Sequence, residues 1–285
     1  MYQIIDINED NLELYTSYLG EDLAENIGRS YYRALVAVDD DKPQSGMVWL
    51  VKHLDEEADT ESNIIWVRCD AKEAFDQMME AYSERARSED VVRSHVFIPV
   101  KGGKEMKAML IEKGFNMRLS ESDVVVVKLS ELSEMPLMKK LKKVAIPESI
   151  APLNSLTLRT FRKGISKCVM NGKYGLCEDL SELGIYWFED EVSCVSSDDN
   201  GINGFFLFHL RPSGVMAVQL LVCLDNTFKT TLPFMMRQFV TAMEEKYGPD
   251  TLVELDRHNE QSLLLTEKLL PRGFGIPIYA GGRNE

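Results

Sequence analysis

The side chains that most often carry chemistry in proteins are scattered along this sequence. No two histidines stand at the spacing of metal ligands, none has a cysteine within four residues, and no two cysteines form a CxxC pair. These spacings argue against a zinc site or a disulfide framework and favour buried, reduced thiols in a cytoplasmic protein, so we expect no bound metal. The residues concerned are His53, His95, His209 and His258, with Cys69, Cys168, Cys177, Cys194 and Cys223.

One short segment combines ionisable side chains in an order that suits acid–base chemistry. Glu254 and Asp256 alternate along a predicted strand, and His258 follows the C-terminal end of that strand. Open α/β sheets commonly bind ligands at such ends. A carboxylate there could accept the proton of an amine. The more common explanation for these types of residue is surface exposure for the acids and simple packing for the histidine.

Composition and charge narrow the class of protein. The 285 residues, 45% hydrophobic and 27% charged, correspond to roughly two ordinary globular domains. No apolar run reaches the ~18 residues of a membrane span, and the N-terminus lacks the basic and apolar stretches of a signal peptide. The net charge of −14 disfavours nucleic acid as a partner. We therefore expect neither a membrane nor a nucleic-acid partner.

The acidic excess is concentrated in the first half of the chain. Residues 1–140 carry 28 acids and 17 bases, a net charge of −11, whereas residues 141–285 carry 18 and 15, a net charge of −3. A solubilising surface explains this distribution most simply, and a cationic amine substrate would also be attracted to it.

Two stretches of the chain show the same succession of strand and helix signals. Each contains a predicted hairpin, a longer strand, a helix with apolar residues three and four apart, then strand, helix and a last strand. Equivalent residues are separated by nearly constant offsets, 158 from Gly46 to Gly204 and 159 from Gly114 to Gly273. The predicted strands and turns of the two hairpins are 33–39, 39–46 and 47–51 in the first copy, and 192–197, 198–201 and 205–210 in the second.

The rest of each copy sets the predicted domain boundaries. The last strands are predicted at 122–128 and 276–280, one for each copy, and residues 129–150 lack strand patterning and contain two prolines. We predict an N-terminal domain at 1–130, a connector at 131–150, partly helical near 137–144, and a C-terminal domain at 151–285.

This order of elements resembles the GNAT acyltransferase fold used twice, over residues 1–128 and 151–281. The resemblance rests on element order and on two endings, EKGF at 112–115 and NEQSLLLTEK at 259–268 followed by Gly273 and Phe274. It implies an α/β fold of two tandem GNAT-like domains, each a mixed, mostly antiparallel sheet flanked by helices. It also implies acyl transfer from acetyl-CoA or another acyl-CoA to an amine on a small molecule or a peptide.

In the GNAT family the central strand diverges from its neighbour and binds the pantetheine arm, and the next helix begins at the pyrophosphate. Helix N-termini suit anions because their first N–H groups lack partners. Neither copy has the family's glycine-rich motif at this point. In the first copy, Asp70 is a plausible N-cap with Glu73 as its partner in a capping box, and a carboxylate there would repel phosphate. We expect the first copy to be a poor coenzyme site.

The second copy is the better candidate for the coenzyme. The resemblance places backbone groups of Leu221 and Cys223 beside the pantetheine and Asn259 near it. It places Lys229, Thr230 and Thr231 near the pyrophosphate, in a loop that separates the central strand from a helix with Pro233 in its first turn. The missing glycines leave a plain threonine-capped helix as the alternative.

The family's usual general acid, a tyrosine on the helix after the next strand, has no counterpart. Thr266 stands at that position in the second copy, and a threonine hydroxyl is far too weak an acid to replace a phenol. The sequence therefore names no catalytic residue. It predicts a coenzyme A-dependent N-acyltransferase, with a non-catalytic GNAT-fold binding or scaffolding protein as the alternative and aminoacyl transfer from tRNA as a remote third. The acceptor, acyl group and oligomeric state stay open.

Overall fold

The computed structural model describes residues 2–52, 59–224, 228–257, 262, 263, 266, 267, 270 and 275–285, and for residues 228 and 229 it describes the backbone only. These residues form two compact units. Unit 1 comprises Met1–Ser122 together with Ile276–Glu285, and unit 2 comprises Asp123–Gly275. Each unit is an α/β structure with its own mixed sheet.

Unit 1 is built on a seven-stranded sheet in the order β1-β2-β3-β4-β5-β13-β6. All neighbouring strands are antiparallel except β4 and β5, which are parallel. The elements are β1 (Gln3–Asp6), α1 (Leu12–Leu19), α2 (Glu21–Ala24), β2 (Tyr32–Asp39), β3 (Lys42–Lys52), β4 (Thr60–Cys69), α3 (Lys72–Ser88), β5 (Val91–Pro99), α4 (Lys104–Glu112), β6 (Asn116–Glu121) and β13 (Pro277–Asn284).

Helices cover both faces of this sheet. The three-and-four spacing of apolar residues in α3 puts Phe75, Met78 and Tyr82 on one stripe, and all three are buried against the sheet. Tyr15 and Leu19 of α1 belong to a separate cluster on the opposite face. The central strands are buried on both sides for this reason.

The first predicted hairpin is correct, but its turn is shorter than expected. The strands β2 and β3 are joined at Asp40 and Asp41, both with positive φ, 47° and 62°. Two consecutive left-handed residues are typical of the tight turns that match the twist of a hairpin. Residues 42–46, predicted as turn, therefore belong to β3.

Unit 2 is built on a six-stranded sheet in the order β7-β12-β11-β10-β9-β8, in which β11 and β12 are the parallel pair. Its elements are β7 (Val124–Lys128), α5 (Leu129–Ser133), α6 (Pro136–Leu141), β8 (Ile150–Pro152), α7 (Leu158–Met170), β9 (Cys194–Asp198), β10 (Gly201–Leu210), β11 (Met216–Cys223), α8 (Phe228–Lys246) and β12 (Leu252–Asp256), with 3-10 turns at Leu153–Ser155 and Ile185–Trp187.

Two hydrophobic clusters lie on opposite faces of the unit 2 sheet. One, the α8 cluster, contains Met235 and Phe239 of α8 with Phe208 of β10. The other, the α7 cluster, contains Phe161 and Ile165 of α7 with other strand residues. The strands β9, β10 and β11 thus send side chains to both clusters, as the period of two requires.

The last strand of each copy joins the sheet of the other unit. β7 pairs with β12 in unit 2, and β13 lies between β5 and β6 in unit 1. The predicted domains, 1–130 and 151–285, follow the repeat along the chain and so differ from the units at both ends. The predicted connector, 131–150, also differs, because Leu132 and Met138 are buried in the α8 cluster.

Candidate functional site

The strands β11 and β12 of unit 2 pair briefly and then diverge. Only Met216 with Val253 and Ala217 with Glu254 are paired. β11 continues to Cys223 while its pairing with β10 on the other side is maintained. Beyond Ala217, β11 is therefore no longer paired with β12. This divergence lies towards the C-terminal ends of two parallel strands, where open α/β sheets bind ligands.

A β-bulge marks the point of divergence. Leu207 pairs with Leu220 but Phe208 pairs with Val218, so Gln219 is an extra residue in β11. Beyond the bulge, Leu221 and Cys223 pack, half-buried, against the α8 cluster. The structure thus places these two predicted residues on the diverging part of β11.

A loop after α7 is fixed to the bulge. The N–H of Leu176 donates to the carbonyl oxygen of Gln219 at 2.8 Å, and the Cys177 thiol donates to the Gln219 side-chain oxygen at 3.0 Å. Gly175 approaches so closely that a Cβ atom there would lie 2.3 Å from that carbonyl oxygen. No pattern in the sequence predicts the contact of Gln219 with this loop, since it joins residues more than forty positions apart.

The helix α8 begins earlier than the sequence predicted. It starts at Phe228, so Lys229, Thr230 and Thr231 lie in its first turn and Pro233 lies inside the helix. The expectation of a loop up to Pro233 was therefore wrong. Proline is common in the first turn of a helix, so it indicated a helix start about one turn after the actual start at Phe228. The first N–H groups of a helix have no partner within the helix, so this turn can present them to an anion.

Two predicted parts of this site are not among the described residues. Asn259 lies outside the described residues, and so does the side chain of Lys229. Among the side chains that are described, Thr230 is exposed and Thr231 is half-buried.

Glu254, a candidate base, is engaged in an ion pair. Its two carboxylate oxygens accept hydrogen bonds from the guanidinium of Arg211 at 2.9 and 2.6 Å. Its neighbours Val253 and Leu255 face the α8 cluster, so Glu254 and Asp256 point to the opposite side of the sheet. Because both carboxylate oxygens already accept hydrogen bonds from Arg211, a substrate amine would have to compete with this bidentate pair.

The Thr266 hydroxyl is engaged in hydrogen bonds within its own helix. Thr266 is buried, and its hydroxyl donates to the carbonyl oxygens of Ser262 and Leu263 at 3.0 and 2.9 Å. This bonding to the preceding turn is typical of threonine in helices. The position at which the family resemblance would put a phenol therefore has a structural role.

The equivalent divergence of strands in unit 1 is built differently. β4 and β5 also diverge after Ile64 and Val96, with Ile65 as the extra residue of a bulge. The N–H groups of Asp70 and Ala71, however, both donate to the carbonyl oxygen of Gln44, at 2.8 and 3.1 Å. Main-chain donors that a phosphate would need are thus already used.

Carboxylates occupy the start of α3. Asp70 accepts a hydrogen bond from the Tyr18 hydroxyl at 3.0 Å and pairs with Arg68. The N-cap is Ala71, without a side-chain bond, so the predicted capping box of Asp70 and Glu73 was wrong by one residue. The reason is that Asp70 turns towards the neighbouring side chains instead of the helix.

The charges around the start of α3 are unfavourable for an anion. Burial and the neighbouring Asp70 raise the pKa of the Tyr18 hydroxyl, and the same two causes raise the pKa of the Cys69 thiol. Lys72 pairs with Glu112 at 2.9 Å, and that partner raises the pKa of its ammonium group. Unit 1 is therefore poorly suited to phosphate.

Two other kinds of site are absent from the described ranges. No group of three or more His, Cys, Asp or Glu side chains in them is placed to hold a metal ion. No helix in them combines the length and the apolar composition that crossing a bilayer requires.

Comparison with known proteins identifies the fold. No protein-family model and no curated protein sequence matches the chain. Among solved structures, a tandem GNAT protein from the clavulanic acid biosynthesis pathway matches with a TM-score of 0.61 and 10% identity, over 100% of this chain and 98% of that chain.

Two further structures match at a TM-score of 0.50. A GCN5-related N-acetyltransferase from Kribbella flavida is 13% identical over 100% of this chain and 71% of its own. The C-terminal domain of a putative lysylphosphatidylglycerol synthetase from Agrobacterium fabrum is 11% identical over 98% and 92%. The chain thus has a tandem GNAT-like fold, as the sequence predicted.

Proposed function

We propose that this chain is a coenzyme A-dependent N-acyltransferase that binds acetyl-CoA or another acyl-CoA in unit 2 and transfers the acyl group to an amine. The observation that carries the proposal is the divergence of β11 from β12 next to the first turn of α8. A strand edge that is not paired with its neighbour beyond Ala217 and a helix N-terminus are the two features that pantetheine and pyrophosphate would need.

The chemistry follows from this arrangement. The amine nitrogen attacks the thioester carbonyl, and N–H groups of β11 near Leu221 and Cys223 polarise the carbonyl oxygen. The C–N bond forms, the C–S bond breaks, and coenzyme A leaves as its thiol. Lys229, Thr230 and Thr231 would hold the pyrophosphate at the start of α8, and Asn259 would lie near the pantetheine.

The alternative is a protein that kept the fold and lost acyl transfer. The buried Thr266 and the absence of the glycine-rich motif favour it. A binding or scaffolding protein of this kind would show no affinity for acyl-coenzyme A, so ligand binding separates the two functions.

Thermal unfolding with and without ligand tests the proposal. Acetyl-CoA at ~100 times its dissociation constant should stabilise the folded chain by about 2.7 kcal/mol, which raises the melting temperature by a few degrees. The same measurement with succinyl- and longer acyl-coenzyme A identifies the preferred acyl group. If no acyl-coenzyme A changes the melting temperature, the scaffolding function is favoured.

Paired variants locate the site. Lys229→Ala combined with Thr230→Ala should abolish the ligand-induced shift, because both residues lie in the first turn of α8. Lys72→Ala, at the start of α3 in unit 1, is the matched control and should leave the shift unchanged. The opposite pattern would place the coenzyme in unit 1.

A further inference from the structure

Unit 2 contains a strongly basic stretch in an otherwise acidic protein. Between residues 149 and 177 there are five basic side chains and no acidic one, although the net charge of the chain is −14. The five are Arg159, Arg162, Lys163, Lys167 and Lys173, and all are exposed. We call these five residues the basic face.

The helix α7 presents four of these cations on one side. Their spacing of three and four residues, from Arg159 to Lys167, puts them on one face of the helix. Phe161, Ile165 and Cys168 lie on the other side and are buried against the sheet. Since its apolar side is already covered, α7 cannot insert into a bilayer and offers only its charged side to a partner.

The cations of the basic face have no carboxylate partners among the described residues. In the part of the chain that the structure describes, no carboxylate pairs with Arg159, Arg162, Lys163 or Lys173, and Lys167 donates to the carbonyl oxygen of Ile202. Lys139 of α6 and Lys142, which follows α6, differ from these cations, since they pair with Glu134 and Glu244.

The basic face leads directly to the candidate site. At the C-terminal end of α7 follow Met170, Tyr174 and Leu176, whose side chains are 86%, 43% and 40% exposed. Leu176 is the residue whose N–H donates to Gln219 at the bulge of β11. Along the chain, the cations are therefore followed by exposed apolar and aromatic side chains that lead to the bulge of β11.

We propose that the acceptor amine is carried on an acidic polypeptide segment that lies along α7. This inference rests on the proposed acyl transfer in unit 2. Arg, Met and Tyr are enriched in protein–protein interfaces, and carboxylates complement the cations. From Arg159 to Lys167 the face is ~12 Å long, so about four extended residues cover it and the amine follows towards Gln219.

The size of the basic face favours a short peptide over larger polyanions. Its attraction acts within a Debye length of about 10 Å at ~0.1 M salt. A nucleic-acid duplex or an anionic bilayer extends well beyond that distance and meets the negative field of the remaining surface. In the reaction the C–N bond forms as the C–S bond breaks, and the proton that the amine nitrogen loses passes to the departing thiolate, so that coenzyme A leaves as the thiol.

Fluorescence anisotropy with the full chain tests the inference. The probe is a fluorescein-labelled peptide of alternating Glu and Gly with one Lys, and its counterpart has Gln in place of Glu. The acidic peptide should bind and the neutral one should not, and added salt should weaken binding. Replacing Arg159, Arg162, Lys163 and Lys173 with Gln should reduce affinity about tenfold or more.

The control variant carries the same loss of four charges elsewhere in unit 2, with Lys139, Lys140, Lys142 and Lys143 replaced by Gln. It should keep full affinity for the peptide. An equal loss in both variants would show a nonspecific charge effect and overturn the inference. So would tighter binding of a single-stranded oligonucleotide, of phosphatidylserine vesicles or of a second copy of the chain.

Acetyl-CoA binding, measured on the same two variants, separates this inference from the proposed function. Retained coenzyme binding with lost peptide binding supports an acceptor surface on α7. Coenzyme binding by the unmodified chain without any peptide binding overturns the acidic acceptor and leaves acyl transfer standing. The absence of coenzyme binding overturns the proposed function, whatever the peptide does.

Discussion

Gly204 shows how closely β10 and β11 approach each other next to the candidate site. A Cβ atom on Gly204 would lie 2.4 Å from the Ser196 hydroxyl oxygen and 3.0 Å from the carbonyl oxygen of Val222. The hydroxyl can rotate away, but the carbonyl belongs to the strand and cannot. The position therefore tolerates no side chain without movement of β11.

Gly204→Ala should lower the free energy of unfolding by about 1–3 kcal/mol, because overpacking displaces the strand. Urea denaturation measures the change. Gly248→Ala is the matched control, since nothing lies within 4 Å of its added methyl group, and it should leave stability nearly unchanged. Equal stability of the two variants would contradict this account of the packing.

Tyr82 gives a pH dependence that can be measured in unit 1. Its buried hydroxyl interacts with the hydroxyls of Ser62 and Ser94 at 2.8 and 2.6 Å, and burial raises its pKa to about 12. In the unfolded chain a tyrosine ionises near pH ~10. As pH rises above this value, ionisation favours the unfolded state, because the buried Tyr82 still keeps its proton. This group should therefore lower the free energy of unfolding by roughly 2–3 kcal/mol between pH ~10 and ~12.

Tyr82→Phe removes this titration and should reduce the alkaline loss of stability by that amount. The variant should be less stable at neutral pH, because the hydroxyls of Ser62 and Ser94 each lose one hydrogen bond. Urea denaturation at a series of pH values gives both quantities. An unchanged alkaline slope in the variant would show that other groups are responsible.

At the level of single residues the sequence could name candidates but not their partners. Glu254 was recognised as a possible base from its place in a strand, whereas its ion pair with Arg211 depends on how β10 and β12 are arranged in the sheet. The role of Asp70 was missed for the same reason, because its partner Tyr18 is 52 residues away.

At the scale of elements, the loop after α7 is held in place by the bulge in β11. Gly172 and Gly175 both have left-handed backbones, with φ of 66° and 65°, so an alanine at either position is strained. Only Gly175 is also in close contact with the strand, through the carbonyl oxygen of Gln219. Substitutions at the two positions therefore distinguish the effect of backbone strain from the effect of the contact with β11.

Gly175→Ala should detach the loop from β11 and increase hydrogen exchange at the Leu176 amide, which donates to Gln219. Gly172→Ala should cost only about 1–2 kcal/mol of local strain and leave that amide protected. Hydrogen-exchange mass spectrometry compares them. Equal exchange at Leu176 in both variants would mean that backbone strain alone governs the loop.

Periodicity predicted most elements because it reports directly which side of a helix or strand is buried. The apolar stripe of α3, with residues three and four apart, and the strand β5 that follows it occur in the predicted order. The start of α8 was missed because Pro233 is a stronger local signal than the residues before it, and the bulges in β4 and β11 leave no local signal at all.

At the scale of the whole molecule, the exchanged last strands tie the C-terminal segment to unit 1. β13 lies between β5 and β6, Arg283 and Glu285 form a buried ion pair, and Glu285 accepts a hydrogen bond from Ser94. Without β13, two strands of the sheet would each lose a partner along most of their length.

A chain that ends at Gly275 should therefore lose the folded structure of unit 1, with a smaller circular-dichroism signal and binding of a hydrophobic dye. Glu285→Gln, which keeps β13 but removes the charge of the buried pair with Arg283, should remain folded and be less stable. A truncated chain that unfolds like the unmodified one would show that β13 is dispensable.

The sequence predicted the tandem arrangement but not this exchange. Each last strand is apolar enough to complete either sheet, and a repeat at a constant offset makes pairing within one copy the simplest assumption. Which sheet a strand completes depends on contacts between distant parts of the chain, and local patterning cannot report them.

Isothermal titration of the full chain with acetyl-CoA tests the central claim, that the diverging strands of unit 2 and the start of α8 bind a coenzyme. The account predicts one site per chain, lost in the Lys229→Ala, Thr230→Ala double variant and kept in Lys72→Ala. No heat of binding with any acyl-coenzyme A, at two temperatures, would contradict it.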